Sequence, residues 1–195
     1  MGDVAIPITG DESADRLLSE DPLALLIGML LDQQVPMEWA FRGPATLAER
    51  LGGLDAGAIA AMDQEEFVSV CAAKPAIHRF PASMGKRIHA LCADLESDYD
   101  GDAAALWRDV PDAETLRKRL RALPGYGEEK TKIFISILAK RFGVAPKGWQ
   151  EVAAPFSDSE PRSVADVDSA ESLARVRDWK KMMKAAKKAK DDSPG

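Results

Sequence analysis

The residue types most able to do chemistry lie in Leu123-Pro124-Gly125-Tyr126-Gly127, followed by Glu128-Glu129-Lys130-Thr131. Two glycines around one residue let a hairpin turn tightly while its amides stay uncovered. Those amides would stand at the N-terminus of the next helix, where unpaired N–H groups and the positive end of the dipole favour a phosphate. Lys130 and Lys132 add charge nearby. The other reading of the same residues is a glycine-mediated connection between two packed helices that binds nothing. Further on, Asp166 and Asp168 lie in Val164-Ala165-Asp166-Val167-Asp168-Ser169, where Asp168 or Ser169 could cap a final helix.

Other chemistries find no support. His78 and His89 are eleven residues apart with no carboxylate or thiol pattern around them that would make a metal site. Cys71 and Cys92 are too few for a disulfide framework, a four-cysteine zinc site or a cysteine-ligated iron–sulfur cluster. There is no Gly-rich nucleotide loop followed by Lys-Ser or Lys-Thr, and no serine nucleophile elbow, so ATPase and serine-hydrolase readings fall.

The elements that must position these residues are helical. Apolar residues recur at spacings of three and four, and alternating strand-like runs are almost absent, which predicts an all-α fold. A short amphipathic helix covers roughly Asp11 to Leu18, and Pro22 opens a very apolar one through Leu31. Pro36 begins a third that Gly52-Gly53 ends, with Pro44 placed to kink it. Asp63 caps a helix through Phe67, Val70 and Cys71, and Pro81 to Leu95 has helical spacing again, followed by a polar turn over 98–102. Asp112 caps Ala113 to Leu123; the hairpin interrupts the pattern, which resumes from Glu128 to Phe142. The stretch 143–165 reads as a long loop with three prolines, then a helix from Ala170 to about Lys190, and the tail 191–195 reads as disordered.

With 195 residues, 46% hydrophobic and 30% charged, the chain can build a real core. No apolar run approaches the roughly 20 residues needed to span a bilayer, and the first ten residues lack a secretory pattern, so a cytoplasmic protein without a membrane partner is expected. The formal net charge of -6 hides a division: residues 1–100 hold 7 Lys and Arg against 17 Asp and Glu, residues 101–195 hold 19 against 15. Because charges further apart than about 8 Å are largely screened at physiological salt, a polyanion meets the local potential rather than the total. The last helix carries Arg175, Arg177, Lys180, Lys181, Lys184, Lys187, Lys188 and Lys190, either a solvated face or a nonspecific clamp on nucleic acid.

The L-P-G-x-G hairpin, together with Leu25-Leu26-Ile27-Gly28-Met29-Leu30-Leu31-Asp32-Gln33-Gln34 as an apolar helix ending in Gln, resembles the helix-hairpin-helix DNA glycosylases of the HhH-GPD superfamily. The likeness is to endonuclease III-type base-excision repair proteins without the iron–sulfur cluster, and it spans about residues 20–143. It implies a helical core over 20–143 that includes the hairpin at 123–127, and a small second lobe from 1–19 and 144–190. It also implies hairpin amides of Gly125 and Gly127, with Tyr126, on the backbone of double-stranded DNA that carries a damaged or mismatched base, and Gln34 entering the duplex beside the extruded nucleotide. Carbonyls of Arg121, Leu123 and Tyr126 would hold a monovalent cation, with DNA only; no other cofactor is expected.

A stacked base cannot be reached, so such an enzyme must flip it into a pocket. Trp39, Phe41, Tyr126 and Trp149 could stack on it, although aromatics at helical spacing commonly form core. Cleavage of the N-glycosidic bond develops positive charge on the sugar, which a nearby carboxylate stabilises. By the resemblance Asp168, in a segment similar to the family's V-D-T-H, is the first candidate and Asp166 the second. Bifunctional relatives carry a Lys two residues after the second hairpin glycine; that position is Glu129, which implies a monofunctional glycosylase without lyase activity. A noncatalytic helix-hairpin-helix DNA-binding protein is the alternative, and a structural helical adaptor a third. A nucleoid-associated monomer is expected.

Overall fold

A computed structural model describes residues 4–191. Among them are ten α-helices and two 3₁₀ turns, with no strand. The helices are α1 Glu12–Glu20, α2 Pro22–Leu31, α3 Met37–Leu51, α4 Ala56–Ala61, α5 Gln64–Ala72, α6 Pro81–Tyr99, α7 Ala113–Arg121, α8 Glu128–Phe142, α9 Trp149–Ala153 and α10 Ala170–Asp191. None is long and apolar enough to cross a membrane.

Aspartates start five of these ten helices by accepting amides of the first turn, as short side chains with an acceptor oxygen can. Asp11, Asp21, Asp55, Asp63 and Asp112 do so for α1, α2, α4, α5 and α7. Gly52, at φ 77, closes α3 in the left-handed conformation that glycine adopts at little cost.

Pro44 lies inside α3, which continues through it to Leu51, within the span read from sequence. The structure differs from that reading at four places. The supposed polar turn at 98–102 begins later, because α6 runs to Tyr99 and Asp100 ends it at φ 51. The helix α4, six residues of alanine and glycine around Ile59, is too short and uniform to show a period. The stretch 143–165 is not all loop: it holds α9 and the 3₁₀ turn Val164–Asp166, both packed on α8, and the turn is closed by a capping box between Ser163 and Asp166. Asp191, placed in the disordered tail, ends α10, and 192–195 lie outside the described residues.

Every apolar side chain of α2 from Leu23 to Leu31 is buried, so this helix is the axis of the molecule. It packs on α3, α1 and α6. The buried side chains form one continuous cluster from Ile6 to Val176. Residues 4–19 and 144–190 join it through different neighbours: α1 packs on α2 and α3, whereas α9 and the Val164–Asp166 turn pack on α8. From Lys180 onward every residue of α10 is exposed.

Close approach at the centre is set by Gly28. A β-carbon there would stand 2.8 Å from Phe41 Cδ1 and 3.3 Å from Leu18 Cδ2, and both of those side chains are fully buried. Gly28→Ala gains up to about 1 kcal/mol of helix propensity, yet overpacking should leave a net loss of roughly 1–3 kcal/mol. A lower urea midpoint would show it.

Candidate functional site

The turn between α7 and α8 forms because Leu123 donates its amide to Leu120 O (3.0 Å) and Tyr126 to Leu123 O (3.2 Å). Gly125 takes φ +80, a value that favours glycine. Gly127 is extended and begins α8 without a side-chain cap, and Thr131 donates to its carbonyl. Among the described residues the amides of Gly125, Gly127, Glu128 and Glu129 donate no hydrogen bond. A β-carbon on Gly127 would meet nothing within 4 Å. The backbone at Gly127 is therefore open, and Gly125, Gly127, Glu128 and Glu129 all line a cleft of roughly 770 Å³.

Across that cleft stands the end of α2. Asp32 ends the helix, Gln33 donates its amide to Leu31 O (2.8 Å), and Gln34 has φ 58, an uncommon conformation for a residue with a β-carbon. Gln34 is exposed and lines the cleft. The loop is held by His78, whose Nε2 lies 2.9 Å from Gln33 O, while its Nδ1 accepts the Phe80 amide at 3.0 Å. Because Nδ1 accepts, Nε2 must carry the proton and donate to Gln33. Burial lowers the His78 pKa and keeps the ring neutral.

Lys130 joins the two walls. Its Nζ donates to Leu30 O (2.8 Å) and lies 3.3 Å from Gln33 Oε1. Burial lowers its pKa to about 8, opposed by the attraction of Asp32. Asp32 moves the other way: desolvation raises its pKa, against Lys180 and Lys130. Lys180 of α10 lines the same cleft, and Arg87 lies exposed beside Gly125. At the rim, Glu128 is neutralised by two 2.9 Å hydrogen bonds from Arg117, with Arg121 3.6 Å away. Glu129 lines the cleft without an ion pair among the described residues, an acidic side chain set against the bases there.

Several sequence expectations are corrected. Tyr126 is a core residue: its hydroxyl donates to Leu26 O at 2.7 Å and its ring meets Phe134 edge-on, so it presents no surface to a base. Phe41 is fully buried. Trp39 is exposed and donates its Nε1 to Ala76 O, while Trp149 packs half-buried against the core. Lys132 is half-buried, does not line the cleft, and acts on Glu128. Of the carbonyls considered for a cation, that of Leu123 already accepts the Tyr126 amide.

Neither carboxylate favoured from sequence lines the cleft. Asp166 is consumed by structure: it receives Lys140 Nζ at 2.6 Å and the amides of Arg162 and Ser163 at 3.0 Å. Asp168 is 60% exposed, 3.5 Å from Arg141. The Ser172 and Ser169 hydroxyls, then Arg141, hold its carboxyl below the usual value, which makes it a weak base. Ser169, not Asp168, caps α10 by accepting the Ser172 amide. Cys71 and Cys92 are buried thiols pushed up to about 12 by desolvation.

What sequence reasoning missed at the cleft is Asp32, the stacked Arg162 and Trp179 that line it, Arg87 beside Gly125, and the anchoring role of His78. Asp32 sits one position past a wholly apolar helix and beside two glutamines, so its position was readable although its environment was not. Arg87 and His78 carry no local signal.

An all-α chain with paired helices joined by a tight glycine hairpin is a helix-hairpin-helix protein. A family model for the HhH-GPD superfamily base excision DNA repair proteins matches residues 27–193, and the chain belongs to that superfamily. Comparison with curated proteins and with solved structures finds no match.

Two measurements probe this arrangement. Asp166→Ala strips the buried Lys140 ammonium of its anion and should cost roughly 3–5 kcal/mol of stability, read as a large fall in melting temperature. For Lys130, the folded pKa of about 8 lies below the ordinary 10.5. The unfolded chain therefore binds more protons between those values, and stability rises with pH there. Relative to Lys130→Met, wild type should gain up to roughly 3 kcal/mol from about pH 8 to about pH 10, measured as the difference in urea midpoints.

Proposed function

We propose that this protein is a monofunctional DNA N-glycosylase of base-excision repair, which flips a damaged or mismatched base and hydrolyses its N-glycosidic bond. The observation that carries the reading is the meeting, in one cleft, of the uncapped amides at Gly125, Gly127 and the start of α8 with Gln34 on its strained turn. Free amides at a helix N-terminus suit a backbone phosphate. An exposed amide side chain on a braced loop suits the gap left in a base stack, and the cleft's volume lies within the range of small-molecule sites. Lys180 and Arg87 contribute charge for a polyanion although the whole chain is acidic.

Carbonyls of Arg121, Leu123 and Tyr126 are hard oxygen donors on one turn, suited to a monovalent cation that joins them only when DNA is bound. The protein would act as a cytoplasmic, nucleoid-associated monomer, with no membrane partner. Glu129 occupies the place of the bifunctional relatives' lysine. Lys130 reaches the cleft, yet its amine is engaged by Leu30 O and Gln33, which favours a positioning role over attack on the sugar. Borohydride trapping on abasic DNA that Lys130→Ala abolishes would overturn the monofunctional part.

The test is a panel of duplexes with uracil, alkylated, oxidised and mismatched bases, scored for free base. Release from at least one is expected; duplex binding without release from any would favour a noncatalytic DNA-binding protein. Gly127→Val should leave the fold within about 1 kcal/mol of wild type. It should weaken duplex binding at least about tenfold, because its side chain stands where the amides open.

A further inference from the structure

We infer that Asp32, rather than Asp168, is the catalytic carboxylate of this protein, an assignment that rests on the glycosylase reading above. Three observations support it. Asp32 lines the cleft together with Gln34, Gly127 and Lys130, whereas Asp168 and Asp166 do not. Its carboxylate makes no hydrogen bond or ion pair among the described residues, while Asp166 is saturated and Asp168 is paired with Arg141. It is also placed rigidly: it ends α2, and Lys130 and His78 tie the carbonyls on either side of it, Leu30 and Gln33. An unsatisfied carboxylate in a sheltered cleft is unfavourable for folding unless something else uses it.

The chemistry suits the position. As the bond from C1′ to the base nitrogen breaks, its electron pair leaves with the base and positive charge grows on the deoxyribose. The Asp32 carboxylate stabilises that charge, more strongly in a sheltered site than in water. A water oxygen then bonds to C1′; its proton passes to Asp32 and from there to the departing base, so the enzyme ends unchanged. Desolvation, which raises the Asp32 pKa, makes it a better proton acceptor than Asp168. The neighbouring Lys130 and Lys180, set against Glu38, keep the charged form accessible.

The test is single-turnover base release from whichever duplex wild type processes fastest. Asp32→Asn should slow release on the order of 100-fold or more, with duplex affinity within about 3-fold of wild type. It should also melt no lower than wild type, since it removes a desolvated charge that has no partner; a merely structural Asp32 would melt lower and release base normally. Asp32→Glu should recover part of the rate, and Asp32→Ser reports in place of the amide variant if that one unfolds. Asp168→Asn should stay within about 5-fold of wild type. Near-normal release by Asp32→Asn, or a hundredfold loss in Asp168→Asn, overturns the assignment and leaves the glycosylase reading standing. Absence of release by wild type from every duplex overturns that reading and this assignment with it.

Discussion

Two hydrogen bonds that each join residues a hundred positions apart hold the cleft together: Tyr126 Oη to Leu26 O and Lys130 Nζ to Leu30 O. Both acceptors belong to α2. The last carbonyls of a helix have no partner within it, and they lie at the negative end of its dipole. An ammonium delivered from the start of α8 satisfies one of them and pins the hairpin against the end of α2. The free amides at the N-terminus of α8 and the turn that carries Gln34 face a common space for that reason. Without that contact, the hairpin would be an ordinary connection between helices, and Gln34 an exposed residue after a core helix.

That arrangement explains how an acidic protein can offer a site to a polyanion. Five of its 32 acidic residues, Asp11, Asp21, Asp55, Asp63 and Asp112, answer backbone amides at helix starts. Glu128 is held by Arg117. Around the cleft Lys130, Lys180 and Arg87 remain against Asp32 and Glu129. Burial pushes the Asp32 and Lys130 pKa values towards each other, the environment in which a carboxylate and an amine acquire unusual reactivity. The stability lost by sheltering them is set against the core of α2, α3 and α6.

Local signals in the sequence carried most of the helices. Aspartate caps, proline starts and glycine stops act within a turn or two, so α1, α2, α3, α5, α7 and α8 were legible. Elements held by neighbours rather than by their own residues were not: α4 is short and alanine-rich, and α9 is five residues long in a proline-rich stretch. The hairpin and Gln34 were also legible, because a glycine pair and a Gln after an apolar run are local patterns. Tyr126 misled because an aromatic between two glycines looks exposed in sequence, whereas the turn rolls its ring under α2 and against Phe134.

The amino-acid sequence by itself determined the all-α class, the superfamily and the place of the phosphate-suited turn, since each depends on spacings of a few residues. Tertiary structure alone decided which carboxylate faces the cleft. Asp166 and Asp168 stand in the more suggestive segment, but Lys140 and Arg141 near the end of α8 draw them away. Asp32, without a motif of its own, is left facing the cleft because burial and the fixing of Leu30 and Gln33 are properties of three helices at once, and no local spacing encodes them.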